Sequence, residues 1–299
     1  MYCTSKIVVF DLDETLGYYV EFGMFWDALK NYIKMQNISV KVDQLLFNKV
    51  LDLYPEFSRP NIVNILNFLK QKKRVKHCHK LMIYTNNQGP DEWAQQIQAY
   101  FETKLNYKLF DQIIKAFKIR GKHVELCRTS HMKNHKDLIS CTKIPETTEI
   151  CFLDDVFHPG MVDDRIYYIN VKPYVHDLPF EVMIDRFINS GILKEIENEN
   201  NKNNDNNNNE NNKNNDKPII TEFTSQMLIF MKRYHHEYVE KTPEAQNVDK
   251  ILSKKIMQHL HIFFNKSFNK PTQITRRNLK TGYKNLKNKN KTIKNKSKL

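Results

Sequence analysis

An α/β fold built on a mainly parallel sheet is predicted over residues 1–195 by two observations. Short apolar runs alternate there with stretches of helical periodicity, which is how strand–helix–strand units read in a sequence. Several of those runs end abruptly on Asp or Thr, and the C-terminal edge of an open parallel sheet is where ligands bind.

The elements follow in order. Lys6–Phe10 is an apolar strand. Gly17–Phe57 reads as a small insert of two amphipathic stretches, the first carrying Phe22, Phe25, Trp26, Leu29 and Ile33, the second Val42, Leu45, Leu46 and Val50. Pro60–Gln71 is a helix with proline in its first turn and Ile62, Ile65, Leu66 and Leu69 on one face. Leu81–Tyr84 is the next strand, and Pro90–Tyr100 the next helix, through Trp93, Ile97 and Tyr100. Glu149–Leu153 and Ile166–Asn170 are two further strands.

Residues 196–217 are almost wholly Asn, Asp, Glu and Lys, a low-complexity composition expected to form a disordered linker because it buries too little apolar surface. Residues 218–268 are expected to be helical: Phe223, Met227, Phe230, Tyr234 and Tyr238 recur at helical spacing, as do Val248, Ile251, Leu252, Ile256, Leu260 and Phe263. They pair with each other or dock on the first domain. Residues 269–299 form a basic tail expected to be mobile. The linker marks a domain boundary, so a chain ending near Leu193 is expected to fold alone.

Composition narrows the classes. Hydrophobic residues are 40% and aromatics 11% of 299, which suits a globular protein, and no apolar run reaches the roughly 20 residues that cross a bilayer. Met-Tyr-Cys-Thr-Ser-Lys leads into a strand with no small-residue cleavage site, so no signal peptide is expected. Five scattered cysteines without a CxxC pair predict reduced thiols and an intracellular, cytoplasmic or nuclear, setting. Of the +13 net charge, eleven Lys or Arg lie between Lys270 and Leu299 with no acid among them, leaving 13 − 11 = +2 for the rest. Any nucleic-acid contact therefore belongs to the tail, and should be non-specific and salt-sensitive.

The chemistry concentrates in Asp11-Leu12-Asp13-Glu14-Thr15, where a strand delivers two carboxylates two positions apart. Alternate strand residues point to opposite faces, so the chain must turn for both to reach one site. Thr85 ends the second strand, followed by Asn86-Asn87-Gln88. Asp154-Asp155 ends another, a poor arrangement for stability but a good one for a cation. Lys133 and Lys136 both precede that strand.

On these residues the chain resembles the haloacid-dehalogenase superfamily, whose motifs run Asp-x-Asp-x-Thr, Ser or Thr, Lys, and an acidic pair. Asp-Leu-Asp-Glu-Thr-Leu, Lys136-Asp137-Leu138 and the Phe57-Ser58-Arg59-Pro60 helix entry look most like the branch of polymerase C-terminal-domain phosphatases and their NIF-like relatives. Asp154-Asp155 departs from that branch's usual Asp-Asn, and Thr85-Asn86-Asn87-Gln88 is inexactly similar to polynucleotide 3′-phosphatases and histidinol phosphatases. The resemblance covers about residues 6–180 and implies a Rossmann-like core and a Mg²⁺-dependent phosphatase. It makes Asp11 the nucleophile, Asp13 the acid and base, Thr85, Asn86 and Lys136 (or its neighbour Lys133) the phosphate holders, and Asp11, Asp13, Asp154 and Asp155 the metal ligands. The expected substrate is a phosphorylated macromolecule, first a phosphoserine or phosphothreonine protein segment, then a nucleic-acid 3′-phosphate. Two readings of another class are a catalytically degenerate scaffold and a basic nucleic-acid-binding protein. His77-Cys78-His79 lacks a second ligand pair and reads as a surface turn, and His235-His236 as the polar face of a helix.

Overall fold

The computed structural model describes residues 5–204 and 216–265. Strands β1 (Lys6–Phe10), β2 (Lys80–Tyr84), β3 (Gln112–Ile114), β6 (Glu149–Asp154) and β7 (Ile166–Asn170) form one sheet in the order β3-β2-β1-β6-β7. Every pairing in it is parallel. The four expected strands are all present. β3, only Gln-Ile-Ile, is too short to register as a periodic run. A separate ribbon pairs β4 (Lys118–Ile119) with β5 (Lys122–His123).

Both sheet faces are covered, unequally. Val8, Phe10, Leu81, Ile83, Cys151 and Leu153 face a large helical layer. Ile7, Val9, Met82, Tyr84, Ile150 and Phe152 face a thinner cover around Leu138, Ile144 and Met161. Strict alternation along strands buried on both sides explains their unbroken apolar sequences.

The insert forms α1 (Val20–Met35) and α2 (Gln44–Leu51), the latter capped by Asp43, whose side chain accepts from the Leu45 and Leu46 N–H groups. Phe22 packs edge-on to Phe47 and against Trp93 at the start of α4 (Trp93–Leu105), so the insert is part of the helical layer. α3 (Ile62–Arg74) buries Ile62, Ile65, Leu66 and Leu69, the face its spacing predicts. α5 (His135–Thr142) and α6 (Phe180–Asn189) complete this part.

Two of the remaining helices, the first along its length and the second at its end, differ from expectation. α7 runs Ile192–Asn204, into the Asn-rich segment, anchored by buried Ile192, Leu193 and Ile196 and by a Lys49–Glu195 ion pair at 2.7 Å. A helix nucleated by that apolar turn extends through polar residues at little further cost. Residues 205–215 of the expected linker, and the tail from 266 on, lie outside the described residues. α8 (Asp216–Lys232) and α9 (Pro243–Asn265) dock on the body. Phe223 of α8 stands edge-on to Tyr32 of α1 and stacks on Phe187 of α6, while Phe263 of α9 lies beside Tyr167 of β7. Phe223, Met227, Phe230, Met231, Ile256, Leu260 and Phe263 belong to the same core as β1, so residue 195 is no packing boundary. α8 stops at Lys232, short of the expected Tyr234 and Tyr238, and His235 takes a left-handed φ of 51° that ends the turn. No helix among the described residues is long and apolar enough to cross a membrane.

The cysteines also depart from expectation. Cys127 and Cys141 form a disulfide, with Cα atoms 5.0 Å apart. The loop before α5 folds back on that helix because the Asp137 carboxylate accepts from the Thr129 N–H and hydroxyl. Cys78 and Cys151 are buried free thiols. Cys3 lies outside the described residues.

Candidate active site

β1 sits at the centre of the sheet, and register with its neighbours gathers the site. Phe10 pairs with Ile83 on one side and Leu153 on the other, so Asp11, Thr85 and Asp154 leave the same edge. The Asp11 N–H donates to the Leu153 carbonyl at 2.8 Å, extending the ladder by one residue. Beyond it the chain folds over: Glu14 adopts φ 57° and its N–H donates to the Gly17 carbonyl at 2.7 Å. This is the turn that brings Asp13 to the side of Asp11.

Gly17 belongs to that turn by necessity. A Cβ there would lie 2.5 Å from the Phe57 carbonyl oxygen. Arg59, almost fully buried, clamps the turn from outside: its guanidinium donates to the Thr15 carbonyl at 2.6 Å, the Glu14 carbonyl at 2.5 Å and the Lys172 carbonyl at 2.9 Å. The Arg-Pro helix entry thus positions the acidic turn. Thr15 Oγ1 accepts from the Asp155 N–H and donates to its Oδ1, tying the two acidic segments together.

Lys133 is the cation at the centre. Its Nζ lies 2.5 Å from Asp11 Oδ1 and 2.7 Å from Asp154 Oδ2, with the lysine 1% exposed. Lys136 is exposed, so of the two lysines Lys133 occupies the place assigned to Lys136. The reason is the cap between them. Asn134 caps α5, accepting from the Asp137 N–H at 2.7 Å. Lys136 therefore falls in the first helical turn and faces solvent, while Lys133 precedes the cap and reaches inward.

Burial removes water from this charge cluster and sets its protonation. Burial pushes the Asp11 carboxyl well above its ordinary range, and Asp154 and Asp13 add to that, against the opposing pull of Lys133. Burial also raises Asp13, more than the hydrogen bonds from Asn87 lower it. Asp155 is raised by burial and by Asp154. For Lys133 burial acts downward, but Asp11 and Asp154 outweigh it and hold the ammonium charged.

Asn87, Arg128 and His158 join the site without having been singled out. Asn87 Nδ2 donates to both Asp13 oxygens, at 3.1 and 2.9 Å. Arg128 donates to the Thr85 carbonyl and to Asn86 Oδ1, and lies 4.7 Å from the Tyr84 ring centre. Asn86 is thereby turned to Arg128. Thr85 Oγ1 accepts from the Asn87 N–H at 2.9 Å, leaving its proton free to be donated. His158 Nε2 is 3.4 Å from Asp154 Oδ2. Asn87 stood in the Thr-Asn-Asn-Gln run, and His158 four residues beyond Asp154, so spacing held a signal for both.

Asp11, Asp154 and Asp155 offer oxygens that all lie within 4.8 Å of one another. Four carboxylates around one ammonium leave the cluster short of positive charge, and a hard divalent cation with oxygen ligands fits that deficit.

Comparison with protein-family models, with curated proteins and with solved structures gives no match for this chain.

Proposed function

We propose that the chain is a Mg²⁺-dependent phosphomonoester hydrolase of the haloacid-dehalogenase type, working through an aspartyl-phosphate on Asp11. The observation that carries this reading is the placement of Asp11 against Lys133, with Asp13 beside it and Asp154 and Asp155 on the adjoining strand end.

Asp11 attacks phosphorus through a carboxylate oxygen as the ester P–O bond breaks. Lys133 orients that carboxylate and supports its charge against the effect of burial, and its own charge also opposes the charge of the phosphoryl oxygens. Asp13 carries a proton in its buried setting and passes it to the leaving oxygen. Now ionised, it takes a proton from the water that attacks the acyl-phosphate, which releases inorganic phosphate and restores Asp11. Asn87 fixes the direction of the Asp13 carboxyl throughout. The Thr85 hydroxyl donates to a phosphoryl oxygen. Asp11, Asp154 and Asp155, with the Asp13 carbonyl, would hold Mg²⁺, which supplies charge neutralisation at the phosphoryl oxygens.

The substrate we infer is a phosphoserine or phosphothreonine segment of a protein. α1 and α2 are consumed in packing against α4 and α8, so the insert serves the core and not a cover over Asp11. A site approached in this way suits a phosphoryl group presented on a large surface.

The test is labelling. Protein mixed with a labelled aryl phosphate and Mg²⁺, then quenched in acid, should carry a hydroxylamine-sensitive phosphoryl group on Asp11, absent in Asp11→Asn. Turnover by Asp11→Asn at the wild-type rate would end this reading.

A further inference from the structure

On the side of the molecule where α8 gives way to α9, three donor atoms from distant parts of the chain converge. Glu21 lies in the first turn of α1, Asp177 in the segment after β7, and His236 in the α8–α9 connection. His236 Nε2 is 3.5 Å from Glu21 Oε1 and 3.6 Å from Asp177 Oδ1, and all three atoms lie within 4.8 Å of one another.

These three atoms are buried, and none makes a hydrogen bond. Glu21 is 0% and Asp177 6% exposed. Each carboxylate commits its other oxygen to a backbone donor: Glu21 Oε2 accepts from Leu178 N–H at 2.8 Å, Asp177 Oδ2 from Val239 N–H at 3.0 Å. The outer oxygens are thus held by the fold, and the inner ones are aimed at a common point with nothing to bond. An unsatisfied buried oxygen costs about 1–3 kcal/mol, more when charged, so a cluster of them needs a compensating ligand.

We propose that Glu21, Asp177 and His236 form a binding site for a Zn²⁺-class divalent cation, which staples the C-terminal helices to the catalytic body. Donors bound tetrahedrally at about 2.0–2.2 Å stand roughly 3.3–3.6 Å apart, and both distances to His236 Nε2 match that spacing. An imidazole with two carboxylates favours Zn²⁺ over Mg²⁺, which prefers an octahedron of oxygens and keeps its waters. The backbone donors on the outer oxygens supply the outer shell that orients such ligands. The site is separate from the acidic edge of the sheet and does not depend on the phosphatase reading.

The experiment uses the full chain, stripped with a chelator and titrated with Zn²⁺, Mn²⁺ and Mg²⁺ by calorimetry, and with Co²⁺ for its visible absorption. An Asp154→Asn variant serves as the background, to remove cation binding at the sheet edge. Expected is one Zn²⁺ per chain in that background, a tetrahedral Co²⁺ spectrum, and a rise in Tm on Zn²⁺ addition. Adding His236→Ala or Glu21→Gln should weaken Zn²⁺ by more than the roughly 10–100-fold seen when an outer-shell partner is lost, and remove both the spectrum and the Tm rise. No Zn²⁺ binding in Asp154→Asn, unchanged binding after His236→Ala, or Mg²⁺ bound as tightly as Zn²⁺ would each overturn the proposal.

Discussion

The α/β body and the C-terminal helices contribute to one core but divide its tasks. Every residue placed at the acidic sheet edge lies between Asp11 and His158, whereas α8 and α9 pack on the core away from that edge. Chemistry and stability are therefore separable along the chain, though not in space. Removing the helices should destroy activity by unfolding the body, while changes at the sheet edge should destroy activity with the fold intact.

Truncation sets the two regions furthest apart. A chain ending at Leu193 loses seven buried apolar side chains of α8 and α9 and uncovers Tyr32 and Phe187 beneath them. Each such side chain is worth about 1.5–3 kcal/mol when buried, and a whole domain holds only about 5–15. The fragment should be insoluble or molten by circular dichroism. A cooperative melt with full activity would make the helices dispensable.

Lys133→Ala comes next. It leaves Asp11 and Asp154 facing one another in a buried site, which should cost about 3–5 kcal/mol and abolish turnover. Denaturant titration measures the first effect and an aryl phosphate assay the second. Lys136→Ala, three residues away and exposed, should change stability by less than about 0.5 kcal/mol and leave activity near wild type.

Asp11→Asn should abolish turnover and leave Tm unchanged or higher without metal. Burial opposes the charge of the Asp11 carboxyl more than Lys133 supports it, so a neutral isostere relieves that cost while giving up the pair with Lys133. A clear fall in Tm would show that the Lys133–Asp11 pair stabilises the fold. Gly17→Ala acts through the fold and not through charge. Its methyl meets the Phe57 carbonyl, and overpacking of this kind costs about 1–3 kcal/mol. Activity should drop with stability, because the same turn carries Asp13.

Strand ends were the legible part of the chain. Apolar runs closing on Asp11, Thr85 and Asp154 read correctly because a buried parallel strand leaves no other pattern, and parallel pairing then sets those residues side by side. The lysine was not separable in the same way. Lys133 and Lys136 differ only in which side of the Asn134 cap they occupy, a fact of backbone geometry. The Cys127–Cys141 pair has no spacing signature either, since it depends on a loop folded by Asp137 and Thr129. Composition misled on α7, where three apolar residues outweigh an Asn-rich continuation. For α8 and α9, helical spacing showed which face is apolar but not what it covers.

Lys6 opens the central strand, and its Nζ donates to the Phe263 carbonyl at 2.7 Å, near the end of α9. Two residues 257 apart in sequence thus meet beside the first strand. A ribosome adding about 5–20 residues per second needs roughly 13–50 s to span that interval. During synthesis the nascent sheet waits for its last layer with apolar surface open to water, and closure over so long a loop is slow. β1 is therefore among the last elements to be finished, and its demand for chaperones should persist until α9 has been made.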